Sequence, residues 1–371
     1  MKLQLRLDLN TERFCRPAVG LLLAVAAGVV SAPAAAQTAA WTEPTFDRWN
    51  YPFNSTPGTK EEAQVFANFD PVFEGIFDER DGQYLVTFDT TDQVMPGKGA
   101  ASYEITSVTL TATVSRDLTF IYDATPDPWQ SRLDPADPEF IADTDPADAI
   151  VLSGTDFRNG FTLLSYGETG AYSPTGAFGV DIRNAYAAAF DAGGSVIDIS
   201  NNVRDRFEPA IWAVGLTDAV SPGADVPVDA TFTFEVDLSE PFVLGYIQDA
   251  LDSGLLGFSI SSASGTSQQS AAVAAFYTKE EDNVPAVSLV IEFGVAPCSP
   301  ADVTTDGEGD APPDGLVTLS DFSAYLSRWA TNDPRADITP TGTCDLVAGG
   351  GDGVDLSDFS CYLAIWSQGC P

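Results

Sequence analysis

One pattern occurs twice near the end of the chain, as V-T-L-S-D-F-S-A-Y-L-S-R-W from Val317 to Trp329 and as V-D-L-S-D-F-S-C-Y-L-A-I-W from Val354 to Trp366. In each copy, apolar residues recur at helical spacing and so share one face of a helix. They are Leu319, Phe322, Leu326 and Trp329 in the first copy, and Leu356, Phe359, Leu363 and Trp366 in the second. Neither copy has enough apolar surface to fold alone, so we expect the two to pack together.

The start of each helix carries polar residues that suit a helix N-terminus. Ser320 and Ser357 are predicted to be the N-caps, and Asp321 and Asp358 follow in the first turn, where a carboxylate favours the positive end of the helix dipole. Capping alone would account for these aspartates, but the residues upstream indicate a second role.

Oxygen-bearing residues precede the first helix at the spacing of a calcium loop. Calcium takes six to eight oxygen ligands at about 2.4 Å, and alternate residues of a tight loop can point theirs inward together. The predicted ligands of this first site are Asp302, Thr304, Asp306, Thr318 and Asp321. Extra residues from Glu308 to Gly315 interrupt the loop. An alternative register uses Asp310, Asp314 with Gly315, and Asp321, and needs no insertion.

The second copy contains a similar set of residues and favours the first register, because the Asp-x-Thr spacing recurs there at the same place. The predicted ligands of the second site are Asp337, Thr339, Thr341, Asp355 and Asp358. Thr341 replaces an acid, and Asp355 restores part of the lost charge. We therefore expect a weaker calcium site in the second copy.

These two copies resemble the type I dockerin, a duplicated calcium-loop and helix module, in its variant closed by cysteines near both ends. The resemblance covers about the last fifth of the chain, residues 298–371. It implies calcium-dependent folding and docking to a partner, either a cohesin-like or a cell-surface protein. The family's partner-contacting positions correspond to Leu319 with Ser320 and Leu356 with Ser357. The leucines depart from the usual small polar pair, which leaves an anchoring or sorting role as an alternative.

The N-terminus has the features of a secretory signal peptide. Arg13 and Arg16 precede an apolar stretch too short to span a bilayer, and small residues lead to Ala36, after which cleavage is predicted. No later segment is apolar enough to be a transmembrane helix. We therefore expect residues 1–36 to be removed and the mature protein to be secreted or displayed at the cell surface.

The charge of the chain excludes some partners. The full sequence has 17 basic and 54 acidic residues, and removal of residues 1–36 leaves 13 basic and 52 acidic, a formal net charge of −39. Such a charge repels nucleic acid and anionic lipid and attracts divalent cations. Adaptation to a high-salt habitat is an alternative explanation.

Cleavage also removes Cys15 and leaves four of the five cysteines, all in the tail. An even number of cysteines in an exported chain indicates disulfides, and four cysteines allow three connectivities. We favour Cys298 with Cys370, which would close the ends of the tail, and Cys344 with Cys361, which would tie loop to helix in the second copy.

The large domain, residues 37–297, has the alternating pattern of half-buried strands. Short strands separated by turn residues predict a mainly β fold, a β-sandwich or jelly roll, beside the small α-helical tail. The predicted strands lie at 84–88, 108–114, 118–122, 232–236, 257–260 and 287–293. One helix is predicted from the apolar stripe at 243–251, with Ser239 as its cap and Gly254 at its end.

Residues 123–148 contain four Asp-Pro pairs and are predicted to form a long acidic loop. A cation site or a ligand-facing loop is the functional interpretation. A solvent-exposed loop that binds no ligand is the simpler interpretation, and we favour it.

Two short stretches, R-D-G-Q-Y-L-V-T-F from Arg80 and F-Y-T-K-E-E-D-N-V-P-A-V-S-L-V-I from Phe276, resemble the start and the end of the DNRLRE type of secreted β-sandwich. Such domains are similar to carbohydrate-binding modules. The resemblance therefore implies an extracellular glycan as ligand. Trp129 and Trp212 are candidate stacking residues for sugar rings, although aromatic residues in a sandwich usually belong to the core. We expect the acidic loop to expose Trp129.

The chain has no histidine, which excludes Ser-His-Asp catalysis and histidine-liganded zinc. A pair of carboxylates, as in glycoside hydrolysis, remains possible, but the sequence does not single one out. Asp78 and Glu79, for example, look like surface residues. Two hypotheses follow: a non-catalytic secreted sandwich that binds polysaccharide or serves structurally, which we favour, and a polysaccharide-degrading enzyme carried on the same tail.

Overall fold

The structure is a computed structural model that describes residues 37–70, 72, 75–145, 147–266, 272–304, 313–339 and 353–370. Within these ranges the protein is mainly β, as predicted. The strands are β1 (Gln37–Trp41), β2 (Phe46–Asn50), β3 (Glu62–Val65), β4 (Gln83–Asp89), β5 (Tyr103–Thr113), β6 (Ile150–Phe157), β7 (Ala185–Phe190), β8 (Val196–Asp198), β9 (Ala213–Val214), β10 (Thr231–Glu235), β11 (Leu255–Ser262), β12 (Ala274–Tyr277) and β13 (Val287–Val295). The helices are α1 (Leu163–Tyr166), α2 (Pro241–Ser253), α3 (Leu319–Ala330) and α4 (Leu356–Trp366).

The strands form two large antiparallel sheets and one small one. The first sheet has the order β1-β13-β5-β10, and the second has the order β2-β4-β11-β6-β7-β8, with β9 also paired to β6. Strands β12 and β3 form the small sheet. Leu110 and Phe232 of the first sheet share one hydrophobic core with Val86 and Phe258 of the second, as in a β-sandwich.

Strand β5 shows why alternation identified the first sheet. Val108, Leu110 and Ala112 are buried, and the threonines between them are partly exposed. The core-facing residues meet their counterparts across the sheet, because Leu110 pairs with Phe234 of β10 and with Leu289 of β13. A period of two therefore sets both the buried face and the register.

The middle of the second sheet lacks this alternation, because both faces of its strands are covered. Strands β4, β6 and β11 are buried along nearly their whole length. Gly257 of β11 lies under the side chain of Leu163, and Gly154 of β6 lies under the ring of Trp212. A side chain at either glycine would collide with these neighbours, so glycine lets the covering residues pack directly on the sheet.

Helix α2 confirms the predicted stripe but not its predicted cap. Val243, Ile247 and Leu251 are buried, and the helix ends at Gly254, whose φ of 86° is left-handed. Ser239 does not cap it. The helix begins with Pro241 after Glu240, which makes no side-chain capping bond. Proline at the first position needs no partner for an amide hydrogen, so the helix starts without a serine cap.

The strand predicted at 118–122 is absent from the described structure. Leu118 has a φ of 53°, which breaks an extended conformation. The segment still pairs with residues 223–226 through an isolated bridge and through backbone hydrogen bonds, such as that from the nitrogen of Val226 to the carbonyl of Phe120 at 3.0 Å. From Asp123 to Asp148 the described residues form turns and one short 3-10 helix, Trp129–Arg132.

The N-caps of the two tail helices lie two residues earlier than predicted. Thr318 caps α3 and Asp355 caps α4, and each accepts a hydrogen bond from the backbone of the serine that the sequence suggested, Ser320 or Ser357. Asp321 and Asp358 occupy the third helical position and complete a capping box in both copies. The serine assignment was wrong because threonine and aspartate can equally cap a helix.

Candidate metal centres

The first tail loop is organised around the buried carboxylate of Asp302, which is 3% exposed. It accepts hydrogen bonds from the backbone nitrogens of Cys298 at 3.1 Å, Asp314 at 3.1 Å and Gly315 at 2.9 Å. Burial raises the pKa of Asp302 to about 6 in the absence of a cation. This side chain therefore gathers three backbone amides, from two segments of the chain, around one negative charge.

Asp321 closes the same loop from the helix side. Its Oδ1 accepts from the backbone nitrogens of Val303 at 2.7 Å and Thr304 at 3.0 Å, and its Oδ2 accepts from the nitrogen and the hydroxyl of Thr318. The side chain is fully buried. The carboxylate of Asp321 thus both caps the helix and closes the loop. Four of the predicted ligands lie within the described residues, and they meet in this loop: Asp302, Thr304, Thr318 and Asp321.

The loop register combines the two registers that the sequence allows. Asp314 and Gly315 lie beside Asp302, and Gly315 has a φ of 76° and packs so tightly that an added Cβ would lie 3.1 Å from Val295. Asp314 lies in the same loop as Asp302 and Thr304, and its Oδ1 accepts from the backbone nitrogen of Leu316 at 2.9 Å. Asp306, predicted for that place, lies outside the described residues. The spacing of Asp314 and Gly315 before Asp321 was the signal that could have singled out Asp314.

The second loop repeats this arrangement. Asp358 is fully buried and accepts from the nitrogens of Ile338 and Thr339 and from the Thr339 hydroxyl, at 2.9 to 3.1 Å. Asp337 accepts from the nitrogen of Gly353 at 3.2 Å. Asp355 is exposed and serves as the helix cap, and Thr341 lies outside the described residues. Asp337, Thr339 and Asp358 are therefore brought together as the sequence suggested.

The two copies exchange equivalent hydrogen bonds. Trp329 Nε1 donates to the carbonyl of Asp355, and Trp366 Nε1 donates to the carbonyl of Thr318, both at 2.8 Å. The rings of Tyr325 and Tyr362 stack with centroids 3.7 Å apart. Each copy thus supports the loop of the other, so the loops and helices form one reciprocal unit.

A disulfide joins Cys298 to Cys370 and closes the ends of this unit. Cys361 is also disulfide-bonded, and its predicted partner Cys344 lies outside the described residues. The cross-links hold together a tail whose core is small, namely Ala301, Tyr325, Ala336 and Tyr362 with the partly buried residues around them.

Two groups of carboxylates in the large domain also come close enough to share a metal ion: Asp47 with Glu168 and Glu280, and Asp123 with Asp127 and Asp145. In the first group, the side chain of Asp47 is 1% exposed and accepts from the hydroxyl of Tyr84 at 2.7 Å. Burial raises the pKa of Asp47 to about 7. The ammonium group of Lys279 contacts Glu168, so this group already has a cation of its own.

The two candidate tryptophans are not exposed. Trp129 is 8% exposed and its backbone nitrogen donates to Glu208, while Trp212 is 2% exposed and stacks on Phe190 with centroids 6.2 Å apart. The expectation that the acidic loop exposes Trp129 was wrong, because Trp129 is buried and lines a cavity with Arg80, Asn202 and Glu208. Trp212 belongs to the core.

An apolar groove lies between α1, α2 and the outer strands of the second sheet. Its aromatic lining residues are Phe161, Phe190, Trp212, Phe242 and Tyr246. Phe242 is 42% exposed and lies 5.9 Å from Phe190, centroid to centroid. No local pattern in the sequence predicted this surface, because its members come from separate segments of the chain.

Comparison with known proteins adds no relative: no family model matches the chain, and no curated protein matches it significantly. Among the described residues, the helices are all too short or too polar to cross a membrane.

Proposed function

We propose that this protein is a secreted, non-catalytic β-sandwich that is held in an extracellular assembly by a dockerin-like tail folded around calcium. The observation that carries the proposal is the convergence of buried carboxylates in two equivalent loops. Asp302 with Asp321, and Asp337 with Asp358, are distant in sequence and are buried side by side with the loop threonines. The proposal includes a jelly-roll topology for the large domain and a dockerin-like identity for the tail.

Calcium would neutralise the charge collected in each loop. Asp302, Asp314 and Asp321 repel one another at short range, and their mutual repulsion favours a bound cation. A dication with oxygen ligands fits a set made of carboxylates, threonine hydroxyls and backbone carbonyls. The loops would then be rigid only when the ion is bound.

Two exposed leucines support docking to a partner. Leu319 is 71% exposed and Leu356 is 68% exposed, at equivalent positions of the two helices. These are the positions that, by the dockerin resemblance, would contact a cohesin-like or cell-surface protein. Large apolar side chains at such exposure are common at interaction sites.

Export and the disulfides are consistent with each other. Gln37, the first described residue, already belongs to β1, so cleavage after Ala36 would keep every described residue of the first sheet. Residues 1–36 themselves lie outside the described structure. Disulfides such as Cys298–Cys370 persist in oxidising compartments, which supports the proposal of an extracellular location.

A calcium titration of the chain from Gln37 to Pro371 tests the tail. After chelation, added calcium should raise the thermal stability of the tail and slow the hydrogen exchange of α3 and α4. When the calcium concentration is a thousandfold above the dissociation constant of a site, binding adds about 4 kcal/mol to the free energy of unfolding. Asp321→Asn and Asp358→Asn should each reduce this calcium-dependent gain, whereas Asp218→Asn, at an exposed residue of the large domain, should not.

The comparison uses the gain with calcium rather than the absolute stability, because both aspartates also cap helices. If the wild-type helices exchange at the same rate with calcium and with chelator, the tail is not calcium-dependent and the proposal fails.

A further inference from the structure

Four aspartates meet at the base of the acidic loop. Asp123, Asp127 and Asp145 each present a carboxylate oxygen, and these oxygens all lie within 4.8 Å of one another. The carboxyl group of Asp143 contacts that of Asp127. Asp123 opens the loop and Asp145 lies shortly before β6, so the group joins the two ends of the loop.

One oxygen of this group lacks a donor. Asp123 is 5% exposed, and its Oδ1 accepts from the nitrogen and the hydroxyl of Thr125 at 2.9 and 3.0 Å. Its Oδ2 is buried, and no residue in the described part of the chain donates a hydrogen bond to it. A buried carboxylate oxygen without a donor is unfavourable unless a cation or water meets it.

The surrounding residues hold the carboxylates in place but do not balance their charge. The Thr125 hydroxyl also lies 3.1 Å from Asp145 Oδ2, so its single hydrogen is shared between Asp123 and Asp145. The guanidinium of Arg132 contacts Asp127 at 3.4 Å, but it also pairs with Asp148. One arginine shared with a fifth carboxylate leaves the group with a large excess of negative charge.

We propose that the base of this loop binds a calcium ion through Asp123, Asp127 and Asp145, with Asp143 beside them. Two oxygens bound to one calcium ion at about 2.4 Å lie at most about 4.8 Å apart, and all three oxygens of this group meet that limit. Aspartate and threonine supply only oxygen, the donor that calcium prefers. The spacing Asp123-x-Thr125-x-Asp127 also matches Asp302-x-Thr304-x-Asp306 of the tail.

The ion would hold the two ends of the loop together and so keep Trp129, which lies within the loop, buried. Away from its base, polar contacts tie the loop to the rest of the domain: Arg206 pairs with Asp137 at 2.7 Å and with Glu139, and the nitrogen of Trp129 donates to Glu208 at 3.3 Å. The ion pairs of Arg206 are partly exposed. Without the ion, repulsion among the aspartates would separate the two ends of the loop and expose Arg132 in its middle.

Trypsin digestion of the chain from Gln37 to Pro371 tests this inference at one bond, Arg132–Leu133. Cleavage there is identified by the mass of the fragment from Gln37 to Arg132. In calcium the rate of this cleavage should fall at least about tenfold relative to chelator, as expected when a ligand stabilises the closed loop. Equal rates in calcium and in chelator would overturn the proposal.

Two substitutions in the loop distinguish the loss of a calcium ligand from the loss of negative charge alone. Asp145→Asn changes an exposed side chain, so it should fold normally yet lose the calcium protection and weaken binding at least about tenfold. Asp134→Asn removes the same charge from an exposed residue outside the group and should keep the protection. An equal loss in both variants would show that general electrostatics, and not a site, causes the effect.

The loop site is independent of the tail. The double variant Asp321→Asn with Asp358→Asn should keep calcium protection at Arg132, even where the tail no longer responds to calcium. Loss of protection in that variant would overturn the loop proposal, because the effect would then arise from the tail. Calcium titration calorimetry of Asp145→Asn should show one site fewer than that of Asp134→Asn.

Discussion

At the scale of single residues, the second sheet covers a set of buried charges beside the R-D-G stretch that begins at Arg80. Arg183 Nε donates to Asp78 at 2.5 Å, and neither side chain is exposed. Asp78 also accepts from the side chain of Asn201 at 2.6 Å. The sequence suggested that Asp78 lies on the surface, and this was wrong, because its partner Arg183 is distant in sequence and comes near only in the fold. Within the described residues the two Nη atoms of Arg183 have no hydrogen-bond acceptor, and the guanidinium lies 5.6 Å from the centroid of the Tyr172 ring.

Asp81 belongs to the same buried region and predicts a pH dependence of stability. It is fully buried, and neither of its oxygens accepts a hydrogen bond from a described residue. Burial raises the pKa of Asp81 to about 7. Because this pKa is above its unfolded value, the folded state binds the proton more tightly. The contribution of Asp81 to stability is therefore complete below about pH 4 and is lost as the pH rises to about 7.

The variant Asp81→Asn should lack the decrease in stability that the ionisation of Asp81 causes as the pH rises. Relative to the variant, the wild type should lose roughly 3 to 4 kcal/mol of unfolding free energy between pH 4 and pH 8. Urea denaturation at a series of pH values measures the difference. Parallel profiles for the two proteins would mean that Asp81 titrates alike in the folded and unfolded states, against this prediction.

At the scale of elements, the two tail copies support each other through matched bonds. The hydroxyl of Tyr325 donates to the carbonyl of Ala336, and the hydroxyl of Tyr362 donates to the carbonyl of Ala301, both at 3.1 Å and both buried. The carbonyl in each bond lies next to the first aspartate of a loop. Helix packing and loop shape are therefore linked in both directions, and neither helix is independent of the other.

The matched bonds predict matched effects of two substitutions. Tyr325→Phe and Tyr362→Phe each leave a buried carbonyl without its donor, which costs about 1 to 3 kcal/mol. Hydrogen exchange should therefore accelerate in both α3 and α4 for either variant. Acceleration confined to the helix that carries the substitution would show that the two copies do not support each other.

At the scale of the whole molecule, the groove at α2 is the surface best suited to a ligand of the sandwich. It is lined by aromatic rings, with Phe242 exposed above Phe190 and with Trp212 below. Sugar rings stack on such faces, and this supports the proposed binding of extracellular glycan. The groove and the tail loops lie on separate elements, so ligand binding and anchoring would be separate functions.

A glycan panel tests this surface on the chain from Gln37 to Pro371. Phe242→Ala should weaken binding of a retained glycan by roughly 1 to 2 kcal/mol, which is about 5- to 30-fold. Leu164→Ala removes a side chain that is 65% exposed on neighbouring α1 and should have little effect. Release of new reducing ends during incubation would establish the alternative, a polysaccharide-degrading enzyme.

Local patterns in the sequence determined much of this protein: the alternating strands of the first sheet, the duplicated tail helices and the aspartate spacing of the loops. Each depends on neighbours in the chain, whose side-chain directions follow from secondary structure alone. The tertiary structure decided what depends on contacts between distant segments. It placed Asp314 beside Asp302, gathered Asp123 with Asp145, buried Trp129 and Trp212, and paired Arg183 with Asp78. The spacing of residues along the chain does not predict such contacts, because these residues come together only in the folded protein.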